Sequence, residues 1–401
     1  MKELFLEYWD LPRELEAMLK LALGQQADFE GLDWDYFGRL VSPHKIQPLL
    51  IRGIRRLGPQ AEKYPSLAAL AWEQNRYAAG NMRRLQALAE VNAAFAREGI
   101  RMLSMKGPLL SMELYGDPGM RTSKDLDLMV SPEDLSRAGE VLKGLGYELE
   151  PHPYATTPLR HKYYNLIENE KHEVYHRSEI CIELHWQHDY QTEQSFDALW
   201  ERREERPFMG GKTAVMGADD RYPALFIHAA EHGFMRLRWL LDLYELQKKP
   251  GFSWERVFEL MEQQGVGEVL LEAMLVMYRL RLPELKDVDA GRFSLTGGEG
   301  GVALRVAPAL EKMVKQAADL CDGVWPMLLQ ERRPTDPEWK AYDRLLPRAV
   351  YGKTPIQWVL TVMGPTVFEF ELIDLPDWLF WLYFIIRPCN WVRRKLFGGK
   401  K

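Results

Sequence analysis

The sequence predicts an α+β fold in which one small mixed sheet is flanked by N-terminal and C-terminal helical regions. Three observations predict it. Apolar residues recur at helical spacing in the first hundred residues and again after residue 219. Between them the chain breaks into short apolar runs punctuated by Gly, Pro and Asp. That middle portion opens strand–helix–strand and then turns to antiparallel-looking strands. At 401 residues there is room for two or three packed units.

Residues 1–98 read as an N-terminal helical region. Its clearest helix starts at Pro65 and carries Leu67, Leu70, Met82, Leu85, Leu88 and Phe95 near helical spacing until Gly99. Residues 99–217 read as the sheet core. A strand over 100–105 meets a turn at Lys106-Gly107-Pro108, then a helix over 109–114 and a loop at 115–119. A second strand covers 125–130, Ser131-Pro132-Glu133-Asp134 starts a helix that Gly146 closes, and 147–150 resumes extended structure. Further strands are expected over 163–168, 172–177 and 180–186. A helical domain follows over 218–349, with helices at 222–235, 238–248, 254–264, 269–278, 303–320 and 336–346 and a glycine-rich loop over 291–301. Residues 350–401 form an aromatic and basic C-terminal segment.

Composition narrows the function. With 46% hydrophobic and 27% charged residues the chain is that of an ordinary soluble globular protein. A net charge of −6 argues against long nucleic acid as a partner, since a phosphate-tracking surface needs an excess of cations. Cys181, Cys321 and Cys389 are far apart, odd in number and without CxxC spacing, which argues against a disulfide framework or a cysteine-built zinc site and fits a reducing cytoplasm. No basic-then-apolar leader opens the chain, and the longest apolar run, 378–386, is far short of the ~20 residues of a spanning helix. That run, followed by Arg387, Arg393, Arg394 and Lys395, could rest on an anionic membrane surface or a partner. Packing onto its own domain is the expectation.

The chemistry concentrates in two strands. Side chains alternate along a strand, so Asp125 and Asp127 share one face while Leu126, Leu128 and Val130 share the other. Residues 180–186 repeat the design, with Ile182, Leu184 and Trp186 apolar and Cys181, Glu183 and His185 opposite. If the two strands are neighbours, Glu183 completes a three-carboxylate site. Crowded carboxylates repel unless cations lie between them, and an all-oxygen set suits Mg²⁺ or Mn²⁺. Two such ions can clamp the attacking and leaving oxygens of an in-line phosphoryl transfer. Phosphates need donors, and Lys106-Gly107 at a strand-to-helix turn supplies a point charge and approachable amides. Arg121 and Ser123, just before the aspartates, reach over the same cleft.

Met105-Lys106-Gly107, Leu114-Tyr115-Gly116-Asp117-Pro118 and Arg121-Thr122-Ser123-Lys124-Asp125-Leu126-Asp127-Leu128-Met129-Val130 together resemble the bacterial nucleotidyltransferase family of the polymerase-β superfamily. In that family Lys-Gly stands where better-known members carry Gly-Ser. Ile182-Glu183-Leu184-His185-Trp186 is similar to its third-carboxylate strand, and the stretch from His232 through Arg236 to Asp242 to its downstream helical motif. The resemblance implies a nucleotidyltransferase core and Mg²⁺-dependent transfer of a nucleoside monophosphate from an NTP, with release of pyrophosphate. The acceptor differs between members, and such genes lie near clusters for modified peptides such as lasso peptides and near polysaccharide clusters, which widens the range of acceptors to small molecules and modified peptides. His185, His232 and Asp242 are candidates for a supporting role.

Two rivals are specific enough to state. His228-Ala229-Ala230-Glu231-His232 fits the His-x-x-Glu-His pattern of a zinc hydrolase, which needs a third ligand elsewhere. A non-catalytic nucleotide-binding or partner-binding module on the same fold is the other.

Overall fold

A computed structural model describes residues 2–72, 74–151, 159–160, 163, 172–187, 195–282, 288–298, 300–329, 360 and 363–397. The chain opens with strand β1 (Lys2–Glu7) and helices α1 (Arg13–Ala22), α2 (Trp34–His44), α3 (Gln47–Leu57), α4 (Pro65–Trp72) and α5 (Gln74–Arg97). The sheet region runs β2 (Met102–Ser104), α6 (Gly107–Tyr115), β3 (Asp125–Val130), α7 (Leu135–Gly144), β4 (Glu148–Leu149), β5 (His172–Arg177), β6 (Ile180–His185), α8 (Phe196–Glu201), β7 (Glu204–Phe208) and β8 (Gly211–Val215). Helices α9 (Ala218–Glu231), α10 (Leu237–Leu246), α11 (Trp254–Gln263) and α12 (Gly267–Arg279) follow. Then come β9 (Val288–Asp289), β10 (Phe293–Gly298), β11 (Gly301–Val306), α13 (Glu311–Leu328), α14 (Val367–Leu372) and α15 (Leu382–Phe397). The expected strand over 163–168 falls, after Tyr163, outside the described residues, as does the expected helix over 336–346.

The architecture is α+β, with two sheets. The larger is mixed, in the order β4-β5-β6-β3-β2-β8-β7. Its centre is set by β3, which pairs antiparallel with β2 and parallel with β6. One face is apolar because the alternation puts Leu126, Leu128 and Val130 beside Ile180, Ile182 and Leu184, all buried under α5 and α7. Burying a side chain such as Leu128 or Leu184 stabilises the fold by about 1.5–3 kcal/mol. On the other face Leu103 and Met129 join a core shared with helices from both ends of the chain, including Leu15, Leu50, Phe226 and Leu270. The N-terminal and C-terminal helices thus close over the same side of the sheet. Beyond Met129, the acidic end of that face is left for the site.

Local capping fixes several of these helices. Asp33 caps α2 by accepting from the Tyr36 amide at 2.9 Å, and Ser253 caps α11 by accepting from the Arg256 amide at 3.2 Å. Gly116 ends α6 in the left-handed conformation, its N–H donating to the Met112 carbonyl.

Two regions differ from the sequence expectation. Residues 2–7 are a strand, not helix, and the glycine-rich stretch is half of a hairpin, β10–β11, to which β1 adds on the far edge. Gly301 serves close strand packing: a Cβ there would stand 2.3 Å from the Leu6 carbonyl oxygen. The helix expected from 303 therefore starts only at Glu311. The C-terminal expectation is corrected in part. Tyr383 and Phe370 bury against Tyr163, but Trp378, Trp381 and Ile385 remain 76%, 58% and 56% exposed, so much of the aromatic surface is not packed on its own domain. Among the described residues no helix is long and apolar enough to cross a membrane.

Candidate active site

The β3–β6 register assembles the carboxylates. Asp127 lies opposite Glu183, Asp125 opposite Cys181 and Met129 opposite His185. Neighbouring strands stand about 4.8 Å apart, so all three acids project from one small area of the sheet. The condition placed on the sequence reading, that these two strands be neighbours, is met. Asp127 is 6% exposed, whereas Asp125 is only partly buried and faces the cleft.

The electrostatics are those of a site short of positive charge. Burial, then Asp127 and Glu183, push the Asp125 carboxyl up to about 6, against the pull of Lys106 and Arg121. Burial and then Glu183 and Asp125 also push the Cys181 thiol up to about 12, so it stays protonated and offers no thiolate. Lys106 is the cation nearest the pair, its Nζ 3.5 Å from Asp127 Oδ1 and 3.3 Å from His228 Nδ1. Next to it Gly107 has φ +73°, a conformation that side chains other than glycine rarely adopt, and opens α6. A Cβ there would have ordinary contacts, so backbone conformation, not space, calls for glycine.

His185 is buried behind the acids, with Nε2 3.7 Å from Asp127 Oδ1 and 3.6 Å from Glu183 Oε2. His172 on β5 lies beside it, the two rings 4.8 Å apart. Among the described residues, His172, Glu183 and His185 bring three ligand atoms within 4.8 Å of one another. The acidic face therefore offers two kinds of donor: an all-oxygen set at Asp125, Asp127 and Glu183, and an imidazole-containing set that shares Glu183. Nitrogen ligands favour transition metals over Mg²⁺. His172 carries no motif of its own. Its alternation with Val174 and His176 along β5 is the one signal that could have found it.

The loop before β3 is held from several directions. Ser111 Oγ donates to the Asp117 carbonyl at 2.7 Å and accepts from the Arg121 amide at 3.0 Å. Asn81 Nδ2 donates to the Pro118 and Arg121 carbonyls at 3.0 and 3.1 Å. Thr122 Oγ1 donates to the Lys45 carbonyl, and Ser123 Oγ to the Asp125 carbonyl at 2.8 Å. These bonds tie the start of β3 to α5, α6 and the end of α2.

Arg121 is placed differently from the sequence expectation. It is buried, and its Nε donates to Asp242 Oδ2 at 2.8 Å, while Tyr115 Oη donates to Asp242 Oδ1 at 2.8 Å. Burial opposes its charge most, but the attractions of Asp242, then Asp127 and Tyr115, together hold the guanidinium above its ordinary range. Its Nε is committed to an ion pair, and its side chain is only 4% exposed. Asp242 is thus joined to the loop before β3 through this pair.

Among the described residues the zinc-hydrolase pattern brings its two histidine rings to 4.8 Å of each other but gathers no third ligand. α9 ends at Glu231, which leaves His232 as its cap, and the His232 ring stacks on Trp239 at 4.8 Å with an interplanar angle of 6°. His228 faces Lys106, and neither histidine belongs to the described three-ligand cluster.

A family model described as an uncharacterised nucleotidyltransferase matches residues 30–281, more than half of the chain. The solution structure of the antibiotic-resistance factor ANT(2'')-Ia is similar over 48% of this chain and 97% of that one, at 12% identity and a TM-score of 0.35. No curated protein matches.

Proposed function

The chain belongs to this nucleotidyltransferase family, and from that premise we propose that it moves a nucleoside monophosphate from an NTP to an acceptor hydroxyl or phosphate on a small molecule or modified peptide. The observation that supports this reading best is Glu183 standing opposite Asp127 in the β3–β6 register. Asp125, Asp127 and Glu183 are the residues that would hold Mg²⁺ or Mn²⁺, and the fit is chemical: three acids crowd one face, and burial, then Asp127 and Glu183, push Asp125 up to about 6. Bound there, the ions supply charge neutralisation for the entering and leaving oxygens.

The chain's own residues divide the remaining work. Lys106 and the amides at the start of α6 bind the β- and γ-phosphates. An acceptor oxygen attacks the α-phosphorus, its proton passing to Glu183 where the acceptor is a hydroxyl. The bond from the α-phosphorus to the bridging oxygen breaks, and pyrophosphate leaves with that electron pair. His185 orients Asp127 and Glu183 from behind. Arg121, through Asp242 and the Tyr115 hydroxyl, positions the start of β3. Ser123 holds the Asp125 carbonyl and so fixes the first acid.

Incubation with each NTP, Mg²⁺ or Mn²⁺ and candidate acceptors tests the reading through pyrophosphate release and the mass added to the acceptor. Metal-dependent pyrophosphate release supports it; nucleotide binding with no turnover under any metal would instead favour a non-catalytic module.

A pH dependence follows from Asp125. A metal must displace the proton that its raised carboxyl holds below about 6. Metal affinity is therefore steady above that pH and falls as pH drops through it, by about tenfold per unit for a single displaced proton. Calorimetric Mn²⁺ titrations between pH 5 and pH 8 check this. A flat profile would mean that Asp125 is not a ligand.

A further inference from the structure

A cavity of about 460 Å³ opens beside Asp125 but is not lined by Lys106, Gly107, Asp127 or Glu183. Its wall is cationic: Lys45, Arg83, Arg84, Lys124, Arg236 and Arg238 surround the two acids Asp125 and Glu179. Arg83 is neutralised by Glu179, and Arg84 Nε donates to the Lys124 carbonyl at 3.3 Å. The other four come from three separate places. Lys45 follows α2 in the left-handed conformation, Lys124 precedes β3, and Arg236 and Arg238 bracket the first residue of α10. Among the described residues none of these four lies in a salt bridge.

Cations held this way repel one another. Burial, then Lys124, Arg236 and Arg238, hold the Lys45 ammonium below its ordinary range. Burial and then Arg121 press Arg238 down to about 10, although Asp242 opposes them. Arg238 donates from one guanidinium nitrogen to the Thr122 carbonyl at 2.6 Å, but its buried Nε has no acceptor. Two helix starts, Gln47 of α3 and the α10 terminus, also border the space and add partial positive charge. Repulsion of this kind becomes attraction once a multiply charged anion enters. The volume suits a small-molecule ligand.

We propose that this cavity seats an anionic acceptor, a molecule carrying a phosphate group, and presents its reacting oxygen past Asp125 to the nucleotide. The inference rests on reading the carboxylates as the nucleotidyl-transfer centre, with the donor's phosphates on the Lys106–Gly107 side. The same cations could in principle serve the donor's own triphosphate, and the experiment separates the two sources.

Inorganic phosphate is titrated calorimetrically into the full-length protein, alone and after saturation with Mg²⁺ and α,β-methylene-ATP. The expected result is that phosphate still binds to the saturated protein. The double variant Lys124→Ala/Arg236→Ala should lose at least about tenfold in phosphate affinity and change analogue affinity by less than about twofold. Lys124→Arg, which keeps the charge, should retain phosphate binding, and matching melting curves show that the variants fold. The proposal is overturned if the analogue displaces phosphate, if the double variant loses analogue affinity, or if phosphate does not bind the wild-type protein. Failure of the α,β-methylene analogues of ATP, GTP, CTP and UTP alike to bind the wild type with Mg²⁺ or Mn²⁺ would sink the nucleotidyl-transfer reading instead, and with it the acceptor role. The titration without analogue would then show separately whether the cavity holds anions.

Discussion

Replacing Asp127 by Asn is expected to lower pyrophosphate release by a factor on the order of 10³ or more, because cation coordination at such a site contributes several kcal/mol to transition-state stabilisation. Asp125→Asn should have a comparable effect on turnover, yet the two variants should differ in stability. Asp125 is held above its ordinary carboxylate range in the metal-free protein. A carboxyl whose folded pKa is raised contributes stability that is fully present below the unfolded value, near 3.8, and lost as pH rises through about 6. Neutral Asn removes that loss. Metal-free Asp125→Asn should therefore be more stable than wild type at pH 7.5, by roughly 1–3 kcal/mol, and the gain should vanish by pH 4. Asp127 lies 3.5 Å from Lys106 Nζ, so Asp127→Asn removes an attraction as well as a repulsion and should bring no such gain. Denaturant melts with and without metal, beside the pyrophosphate assay, check both halves. An active Asp127→Asn enzyme would remove the residue from the chemistry.

Asp242→Ala should carry the largest stability effect. Arg121 and Asp242 are buried together, their side chains 4% and 5% exposed, and removing the acid strands a charged guanidinium in the core. The cost of breaking such a pair is about 3–5 kcal/mol. Tyr115 loses the acceptor of its hydroxyl in the same step. Because the pair anchors the loop that leads into β3, the loss should reach activity as well as stability. Replacing both partners, Arg121→Met with Asp242→Leu, should recover most of the stability, since the desolvation penalty goes with the charges. The double variant also separates two roles for Arg121. Normal NTP affinity would leave it a positioning residue, whereas stability recovered without NTP binding would return it to the phosphate-contacting role that its place before the aspartates suggests.

What the sequence made legible was whatever repeats at short range. The alternation of Asp125, Leu126, Asp127 and Leu128, and of Ile182, Glu183 and Leu184, defined two half-buried strands with acids on one face, and the sheet follows that pattern. The register between them depends on a crossover of some fifty residues, so the meeting of Asp127 with Glu183 was conditional until the pairing was seen. Long-range partners were not legible at all. Arg121 and Asp242 are 121 positions apart, and nothing near either names the other. The same reason hid β1. Lys2-Glu3-Leu4-Phe5-Leu6-Glu7 is too short to declare itself, and its partner strand begins at Gly301. Glycines at 297, 298, 300 and 301 read locally as a loop, although Gly301 and Gly297 are what let Leu6 and Tyr8 approach the hairpin. The cationic cavity is assembled from positions 45, 83, 84, 124, 236 and 238, and no window of the chain contains more than a fragment of it.

The most direct measurement is electron paramagnetic resonance of Mn²⁺ titrated into the protein with α,β-methylene-ATP at pH 7.5. The account predicts that Mn²⁺ is taken up by the wild-type chain, and that Asp125→Asn, Asp127→Asn and Glu183→Gln each weaken that uptake while the proteins remain folded. Uptake indifferent to all three substitutions, or no uptake by the wild type, would contradict it.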